Sequence, residues 1–247
     1  MRITLLKMDN EWDAVNVSRL CTGREGTQNY ENAVKNLIKK QHWSPFEHVN
    51  VQFRIEAPIY VMRQWMRHSG AWMEKSRRYT CDDIQLEPLP WAGDDYEFLV
   101  NSNYSKALRE NKPEEARKIL PVGTYTDCIW TVNFRDFIHF LRLRLDEHAQ
   151  DEIRECAKAC AILFTLWNIE TLKNFFEYDF CAQSFSKGAM DDFDVFQEEV
   201  VNGTETLRYR RAIAEEIMER AKDIPGDCRT IKLSPADSEE LHEEVRN

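Results

Sequence analysis

Residues 63–79 read RQWMRHSGAWMEKSRRY and concentrate positive charge in a chain that is otherwise acidic. The stretch holds five Lys and Arg residues and one acid, Glu74, whereas the whole chain of 247 residues has a formal net charge of −10. Because nucleic-acid binding needs a broad basic face, this balance argues against a nucleic-acid partner. A local group of cations beside Trp65, Trp72 and Tyr79 is suited instead to one small anion, such as a phosphate.

The first half of this stretch has helical spacing. Pro58 stands where a helix can begin, and Arg63 and Arg67 then share one face while Gln64 and His68 share the adjacent one. The segment 69–90 lacks a clear period and is predicted to be a loop. It would present Glu74, Ser76, Arg77 and Arg78.

Composition permits a sizeable core and points away from export. Hydrophobic residues make up 43% of the chain and aromatic residues 11%, which excludes global disorder. No apolar run approaches a membrane span, and MRITLLKMDNEWD does not resemble a signal peptide, so a cytoplasmic protein is expected. The seven cysteines include no CxxC pair, which argues against a disulfide framework. Cys156 and Cys160 share a helix face, where small apolar filling is favoured over a metal pair.

The pattern along the chain predicts an α+β protein. Alternating or β-branched runs predict strands at 2–7, 49–57 and 124–134. Apolar spacing of three and four predicts helices over 30–41, from Pro58, through much of 91–120, twice within 136–176, and over 205–222. Residues 182–205 are acidic and broken by Gly188 and Gly203, and 234–247 form a charged tail. We therefore predict a main domain, 1–178, and a C-terminal extension, 179–247.

The chemistry of a site must come from side chains. No glycine-rich phosphate loop and no HExxH motif are present, so no metal site is predicted. Polar clusters instead interrupt apolar elements at HWSPFEH (42–48), 63–79, PEEARKILP (113–121) and NFRDFIHFLRLRLDEHAQ (133–150). Each has a structural interpretation as well as a functional one. The structural alternatives are a solvated helix surface for Arg144 and, with greater weight, for Arg142, surface acids for Asp146 and Glu147, an ion pair between Glu114 and Arg117, and core positions for His48 and Trp65.

Taken together, these blocks resemble the flavin-dependent thymidylate synthases. RQWMRH and EKSRRY flank the family's Arg-His-Arg, seven-residue, Ser signature. HWSPFEH, EEARKILP, TVNFRDFIHFLRLR and HAQ follow the family's other blocks in order, over roughly residues 1–175. The resemblance implies an α+β homotetramer with an antiparallel or mixed sheet and with active sites between subunits. It also implies FAD, oxidation of NADPH, and transfer of a methylene group from methylenetetrahydrofolate to dUMP, which is reduced to give dTMP.

The resemblance assigns roles to individual positions. Arg144 is implied as the catalytic residue, a cation that favours the N3-ionised pyrimidine. Contacts to the flavin are implied for Ser44, Glu47, Arg67, His68, Ser69, Glu74, Asn133, Arg135, His139 and His148. Contacts to the nucleotide substrate are implied for Gln64, Arg67, Glu74, Lys75, Ser76, Arg77, Arg78, Arg117 and Arg144.

The signature itself is altered. Ser69 stands in place of the third signature residue, one residue is missing before Ser76, Met73 replaces an amide side chain, and Cys21 replaces a hydroxyl side chain. These changes lie mainly in the substrate loop, so they bear on substrate and product more than on fold. They leave two alternatives: methylation or hydroxymethylation of dCMP or dUMP, and a non-catalytic nucleotide-binding descendant.

Overall fold

A computed structural model describes residues 1–20, 23, 29–80, 83–93, 95–183, 185–186, 189–190 and 193–233. Within these ranges the strands form one antiparallel sheet. They are β1 (Arg2–Met8), β2 (Asn50–Pro58), β3 (Ala71–Glu74), β4 (Tyr125–Asn133) and β5 (Thr230–Lys232). Their order across the sheet is β3, β4, β2, β1, β5. The predicted α+β class, with an antiparallel sheet, is confirmed.

The described residues also form helices before, between and after these strands in the chain. They are α1 (Glu11–Leu20), α2 (Tyr30–Lys39), α3 (Ile59–Trp65), α4 (Asp95–Arg109), α5 (Pro113–Ala116), α6 (Phe134–Arg144), α7 (Asp151–Phe175) and α8 (Phe193–Lys222). Short 3-10 turns cover Ser44–His48, Pro90–Ala92 and Arg117–Ile119, and a π-helical turn covers Phe176–Phe180.

The core lies between the sheet and the helices α3, α6 and α7. On β2 the apolar residues Val51, Phe53 and Ile55 alternate with polar ones and are buried, as a strand covered on one face requires. Trp65 of α3 is fully buried in this core, which confirms its structural interpretation. The opposite face of the sheet is polar, with Arg54 paired to Asp127 across β2 and β4.

Two predictions of secondary structure were wrong. The segment 69–90 is not only a loop, because Ala71–Glu74 pairs with β4 as an edge strand. Gly203 does not break the chain, since α8 runs through it. A Cβ at Gly203 would lie 2.5 Å from Gln183 Nε2, so this glycine permits a close approach to the helix. Cys21, Gly188 and the tail 234–247 lie outside the described residues.

The predicted C-terminal extension contributes to the same core as the main domain. Ile213 and Ile217 of α8 and Leu233 belong to the main apolar cluster, and β5 pairs with β1. The boundary at residue 178 stays a prediction, but residues on both sides of it share one core.

Among the residues that the structure describes, no helix combines the length and the apolar character needed to cross a bilayer.

Cys156 and Cys160 are fully buried in the core, and burial raises the pKa of both thiols. Both positions fit the predicted role as small apolar filling.

Candidate active site

Arg144 and His68 meet at the centre of the site. Arg144, in the last turn of α6, donates from Nε to His68 Nε2 at 2.9 Å and from Nη2 to the carbonyl oxygen of Gln64 at 3.1 Å. These two hydrogen bonds join Arg144 to residues that lie 76 and 80 positions earlier in the sequence. We call Arg144, His68 and Gln64 the arginine centre.

Aromatic packing holds His68 in place. Its ring lies edge-on to Phe140 at 5.1 Å and to His139 at 6.3 Å. Burial, together with the nearby charges of Arg144 and His139, lowers the pKa of His68 to about 4. His68 is therefore neutral near pH 7, and its unprotonated Nε2 can accept the hydrogen bond from Arg144.

The guanidinium of Arg144 is also partly removed from water. Burial, and then repulsion from Arg67, lowers the pKa of Arg144, although an arginine stays charged at neutral pH. Its two recorded bonds use Nε and Nη2. Among the residues that the structure describes, Nη1 has no hydrogen-bond partner, so this nitrogen can serve a ligand.

A cavity of about 560 Å³ lies between α3 and the loop that follows β3, and we call it the loop cavity. Its polar lining comes from α3, from the end of β3 with the loop after it, and from the turn after α5: Arg63, Glu74, Lys75, Ser76, Arg77, Arg117 and Lys118. Five of these side chains are cations and one is an acid. Its volume lies in the range of small-molecule sites, and its charge suits a phosphorylated ligand.

The position of β3 brings the loop residues to this cavity. The indole Nε1 of Trp130 donates to the carbonyl oxygen of Ser69 at 2.9 Å, and Trp72 stacks on Trp130 at 5.3 Å. Gly70, between them, has φ of 131°, where a side chain would be strained. At the far end of β3, Thr126 donates to Glu74 at 2.9 Å. The strand therefore directs the residues that follow it into the cavity.

A second cavity, of about 350 Å³, lies along α6, and we call it the helix cavity. Its lining is Gln41, Trp43, Arg135, Asp136, Ile138, His139 and Arg142. Arg135 is also paired with Glu47. Two arginines beside an indole ring provide donors for a pyrophosphate and an apolar surface for a flat ring. The donor set therefore fits a flavin nucleotide.

The helix cavity touches the arginine centre through His139. This residue lines the cavity, and its ring lies edge-on to that of His68 at 6.3 Å. Arg63, which lines the loop cavity, is followed on α3 by Gln64, whose carbonyl oxygen accepts from Arg144. The helix cavity thus lies next to the arginine centre, while the loop cavity gathers five of the predicted substrate residues.

Several predicted site residues lie elsewhere or have local partners. Arg78 pairs with Glu114 at 2.6 Å and is not among the residues lining the loop cavity. Asn133 caps α6 by accepting from the backbone N–H of Asp136 at 2.9 Å. His148 is exposed and bonded through Nδ1 to Asp146 at 2.9 Å. Ser44 lies exposed in the 3-10 turn that also carries Glu47.

Two structural alternatives were wrong, and a third holds only in part. The side chain of Arg142 is 39% exposed, but it pairs with Asp179, whose side chain is 9% exposed. Glu114 does not pair with Arg117 but with Arg78. His48 is exposed and not a core histidine.

Sequence reasoning missed some of the cavity residues. Arg63 and Lys118 line the loop cavity, and Arg142 lines the helix cavity. The signal for Arg142 was present, because Arg135, His139 and Arg142 are spaced by four and three residues and so share one face of α6. No pattern in the sequence distinguishes Lys118 from an ordinary surface lysine.

Fold and site together define an α+β protein with a basic cleft suited to a phosphorylated ligand of nucleotide size. Residues 4–167 match the family model Thy1, described as thymidylate synthase complementing protein. The chain belongs to this family, and it is an enzyme. The resemblance found in the sequence is thereby confirmed.

Named relatives agree with this assignment. The chain is 34% identical to a flavin-dependent thymidylate synthase of Pseudothermotoga lettingae, over 69% of this chain and 87% of the relative. It is 28% identical to one from Ehrlichia ruminantium, over 89% of this chain and 84% of the relative. Residues 1–178 alone could not supply that coverage, so the second alignment continues into the extension.

A solved structure shares the fold. It is a UMP/dUMP methylase, PolB, from Streptomyces cacaoi bound with 5-Br dUMP, and the superposition has a TM-score of 0.62. The two chains are 24% identical, and the match covers 71% of this chain and 94% of the methylase. At this identity the likeness supports the antiparallel α+β fold alone.

Proposed function

We propose that this enzyme is a flavin-dependent thymidylate synthase that converts dUMP to dTMP with methylenetetrahydrofolate and NADPH. The observation that carries the proposal is the loop cavity, where side chains from three separate segments bring five cations together. The names of the relatives support the same reaction.

In this proposal the loop cavity binds the nucleotide. Lys75, Arg77 and Arg117 offset the charge of the 5′-phosphate, and Ser76 donates a hydrogen bond to it. Glu74, held by Thr126, accepts from a sugar hydroxyl or a base N–H. Gln64 and Arg67 hold the base end of the substrate, close to the arginine centre.

Arg144 is the proposed catalytic residue. Its Nη1 reaches the pyrimidine, and its positive charge stabilises the base ionised at N3, because a nearby cation lowers the pKa of an acidic N–H. His68 and the carbonyl oxygen of Gln64 hold the guanidinium in one orientation. Such preorganisation avoids reorientation during the reaction.

FAD is the proposed cofactor, and when reduced it would supply the hydride that completes the methyl group. In the helix cavity, Arg135 and His139 would hold the flavin nucleotide, together with Arg67, His68 and Ser69 near the centre. His148, Asn133, Ser44 and Glu47 would complete the contacts. We also propose the homotetramer, in which a neighbouring subunit contributes residues such as Arg78.

A second candidate is a related enzyme that acts on dCMP or releases a hydroxymethyl product. Ser69 favours it, because this exposed residue stands just before Gly70 and β3, where the family signature has an arginine. The arginine at the third position of the signature is therefore missing at the entrance to the substrate strand. Loss of one charge-assisted hydrogen bond is worth about 1.5–3 kcal/mol, enough to change the preferred substrate.

A product assay tests both candidates. The purified protein is loaded with FAD and offered dUMP or dCMP with methylenetetrahydrofolate and NADPH, and the products are identified by mass spectrometry. We expect dTMP from dUMP. A methylated or hydroxymethylated cytidine nucleotide would support the second candidate, and no flavin absorbance after addition of FAD would contradict both.

A further inference from the structure

Two ion pairs join the C-terminal extension to the segment that carries Arg144. Arg142, two residues before Arg144, pairs with Asp179. Asp146, two residues after it, pairs with Arg210 of α8 at 3.4 Å. The pairs have opposite polarity, since the extension supplies the acid in one and the base in the other.

Both extension residues are held in place by their surroundings. Asp179 lies in the π-helical turn and is 9% exposed. Arg210 also donates to the carbonyl oxygen of Phe180 at 3.3 Å and lies over the Phe180 ring at 5.4 Å. A third contact joins the same regions, because Thr206 of α8 donates to Glu147 at 3.1 Å.

These contacts reach two residues of the proposed reaction site. Asp146 accepts from the backbone N–H of His148 at 3.1 Å and is bonded to His148 Nδ1 at 2.9 Å. Asp146 thus links Arg210 to His148, because it is bonded to both. Asp179 is paired with Arg142, which lines the helix cavity. The segment 142–148 is held at both ends, with Arg144 between them.

We propose that the C-terminal extension is a positioning element of the reaction site, in which Asp179 and Arg210 fix the segment 142–148 and so orient Arg144 and His148. The part of the chain that matches the family model ends at residue 167, before either residue. The inference rests on the proposed function for the roles of Arg144 and His148, while the anchoring itself does not depend on them.

The test compares Asp179→Asn and Arg210→Gln with matched controls on α8. Glu219→Gln removes one negative charge and Lys222→Gln one positive charge, as the test variants do, but from an ion pair whose two side chains are both exposed. For each variant we would measure kcat, the KM for dUMP, the affinity for FAD and the amide hydrogen exchange of residues 142–148. The assays are run well below the unfolding midpoint of each variant.

We expect kcat to fall about tenfold or more in both test variants, because small misplacement of a catalytic group has effects of this size. The KM for dUMP should change little, since the loop cavity is untouched. Amide exchange in 142–148 should rise relative to the controls. Arg210→Lys should recover most of the lost activity, and Asp146→Asn combined with Arg210→Gln should lose little more than Arg210→Gln alone.

The outcomes separate this inference from the proposed function. If the wild-type enzyme makes dTMP and both test variants keep its kcat, the positioning role is wrong and the function stands. A lower unfolding midpoint with unchanged kcat would show a purely structural role and would also overturn it. If the wild-type protein makes no dTMP, the proposed function fails, and exchange in 142–148 equal to that of the controls would then exclude the anchoring as well.

Discussion

His68 accepts a hydrogen bond from Arg144 only while its Nε2 carries no proton. Burial beside a guanidinium keeps that nitrogen unprotonated, and the packing of Phe140 and His139 fixes the ring. The residue that the family resemblance assigns to the flavin therefore also orients the proposed catalytic arginine.

This arrangement makes stability depend on pH. The pKa of His68 is about 4 in the folded protein and about 6.5 in an unfolded chain, so only the unfolded chain binds the proton between these values. Stability therefore rises with pH across this window and falls as pH drops from 6.5 towards 4. Between pH 7 and pH 5 the loss from His68 should be about 2 kcal/mol.

Urea unfolding of the wild type and of His68→Gln at both pH values measures this contribution. The variant keeps a hydrogen-bond acceptor but cannot titrate, so its stability should fall less on acidification. His42→Gln is the matched control, because His42 is exposed. Equal acid sensitivity of His68→Gln and the wild type would show that His68 titrates normally.

Arg144→Ala should abolish turnover while leaving the fold and FAD affinity largely intact. The side chain is partly exposed and donates to His68 and Gln64 without filling the apolar core. Deoxynucleotide-dependent oxidation of NADPH measures turnover, and flavin fluorescence measures binding. Turnover near the wild-type rate would refute the role proposed for Arg144, and Arg109→Ala, on the exposed end of α4, is the control.

At the scale of elements, the edge strand β3 determines how the substrate loop reaches the cavity. Its four residues pair with β4 in register from Ala71 opposite Thr131 to Glu74 opposite Cys128. The strand was not predictable from its own sequence, because four residues are too few to show a period. Its partner β4, which is long and alternating, was predicted.

Gly70→Ala should detach the start of this strand. A Cβ at Gly70 would lie 2.4 Å from Trp130 Nε1 and 2.7 Å from the carbonyl oxygen of Thr131, and its φ of 131° disfavours any side chain. We expect a loss of stability of about 1–3 kcal/mol and a higher KM for the nucleotide. Thermal unfolding and steady-state kinetics measure the two effects.

Gly226→Ala is the control for this substitution. A Cβ at Gly226 meets nothing within 4 Å, so its stability should change by less than about 1 kcal/mol. If Gly70→Ala behaves like Gly226→Ala, β3 does not depend on the close approach of Gly70 to Trp130.

At the scale of the whole molecule, the extension and the main domain share one core. Ile217 of α8 is fully buried in the main apolar cluster, and Lys158 of α7, 1% exposed, pairs with Glu155 and with Glu216 of α8. A buried lysine needs such partners, because an isolated buried charge is costly. The two parts of the chain are therefore joined by apolar packing and by charge.

Ile217→Ala should lower the free energy of unfolding by about 2–5 kcal/mol, since it leaves a cavity in the core. Val201→Ala is the matched control, because Val201 lies on the same helix and is 69% exposed. Chemical denaturation monitored by tryptophan fluorescence would measure both. Small and equal effects would mean that α8 adds little to the core.

The sequence by itself determined the class, the main strands and helices, and the family, because these depend on local periodicity and on motifs of neighbouring residues. It also identified Arg144, His68 and most cations of the loop cavity. Only the tertiary structure decided that Arg144 donates to His68, that β3 joins the sheet, and that Arg142 and Asp146 pair with the extension. These contacts join residues 30 to 80 positions apart, and no local pattern specifies which distant partner a charged or polar side chain will meet.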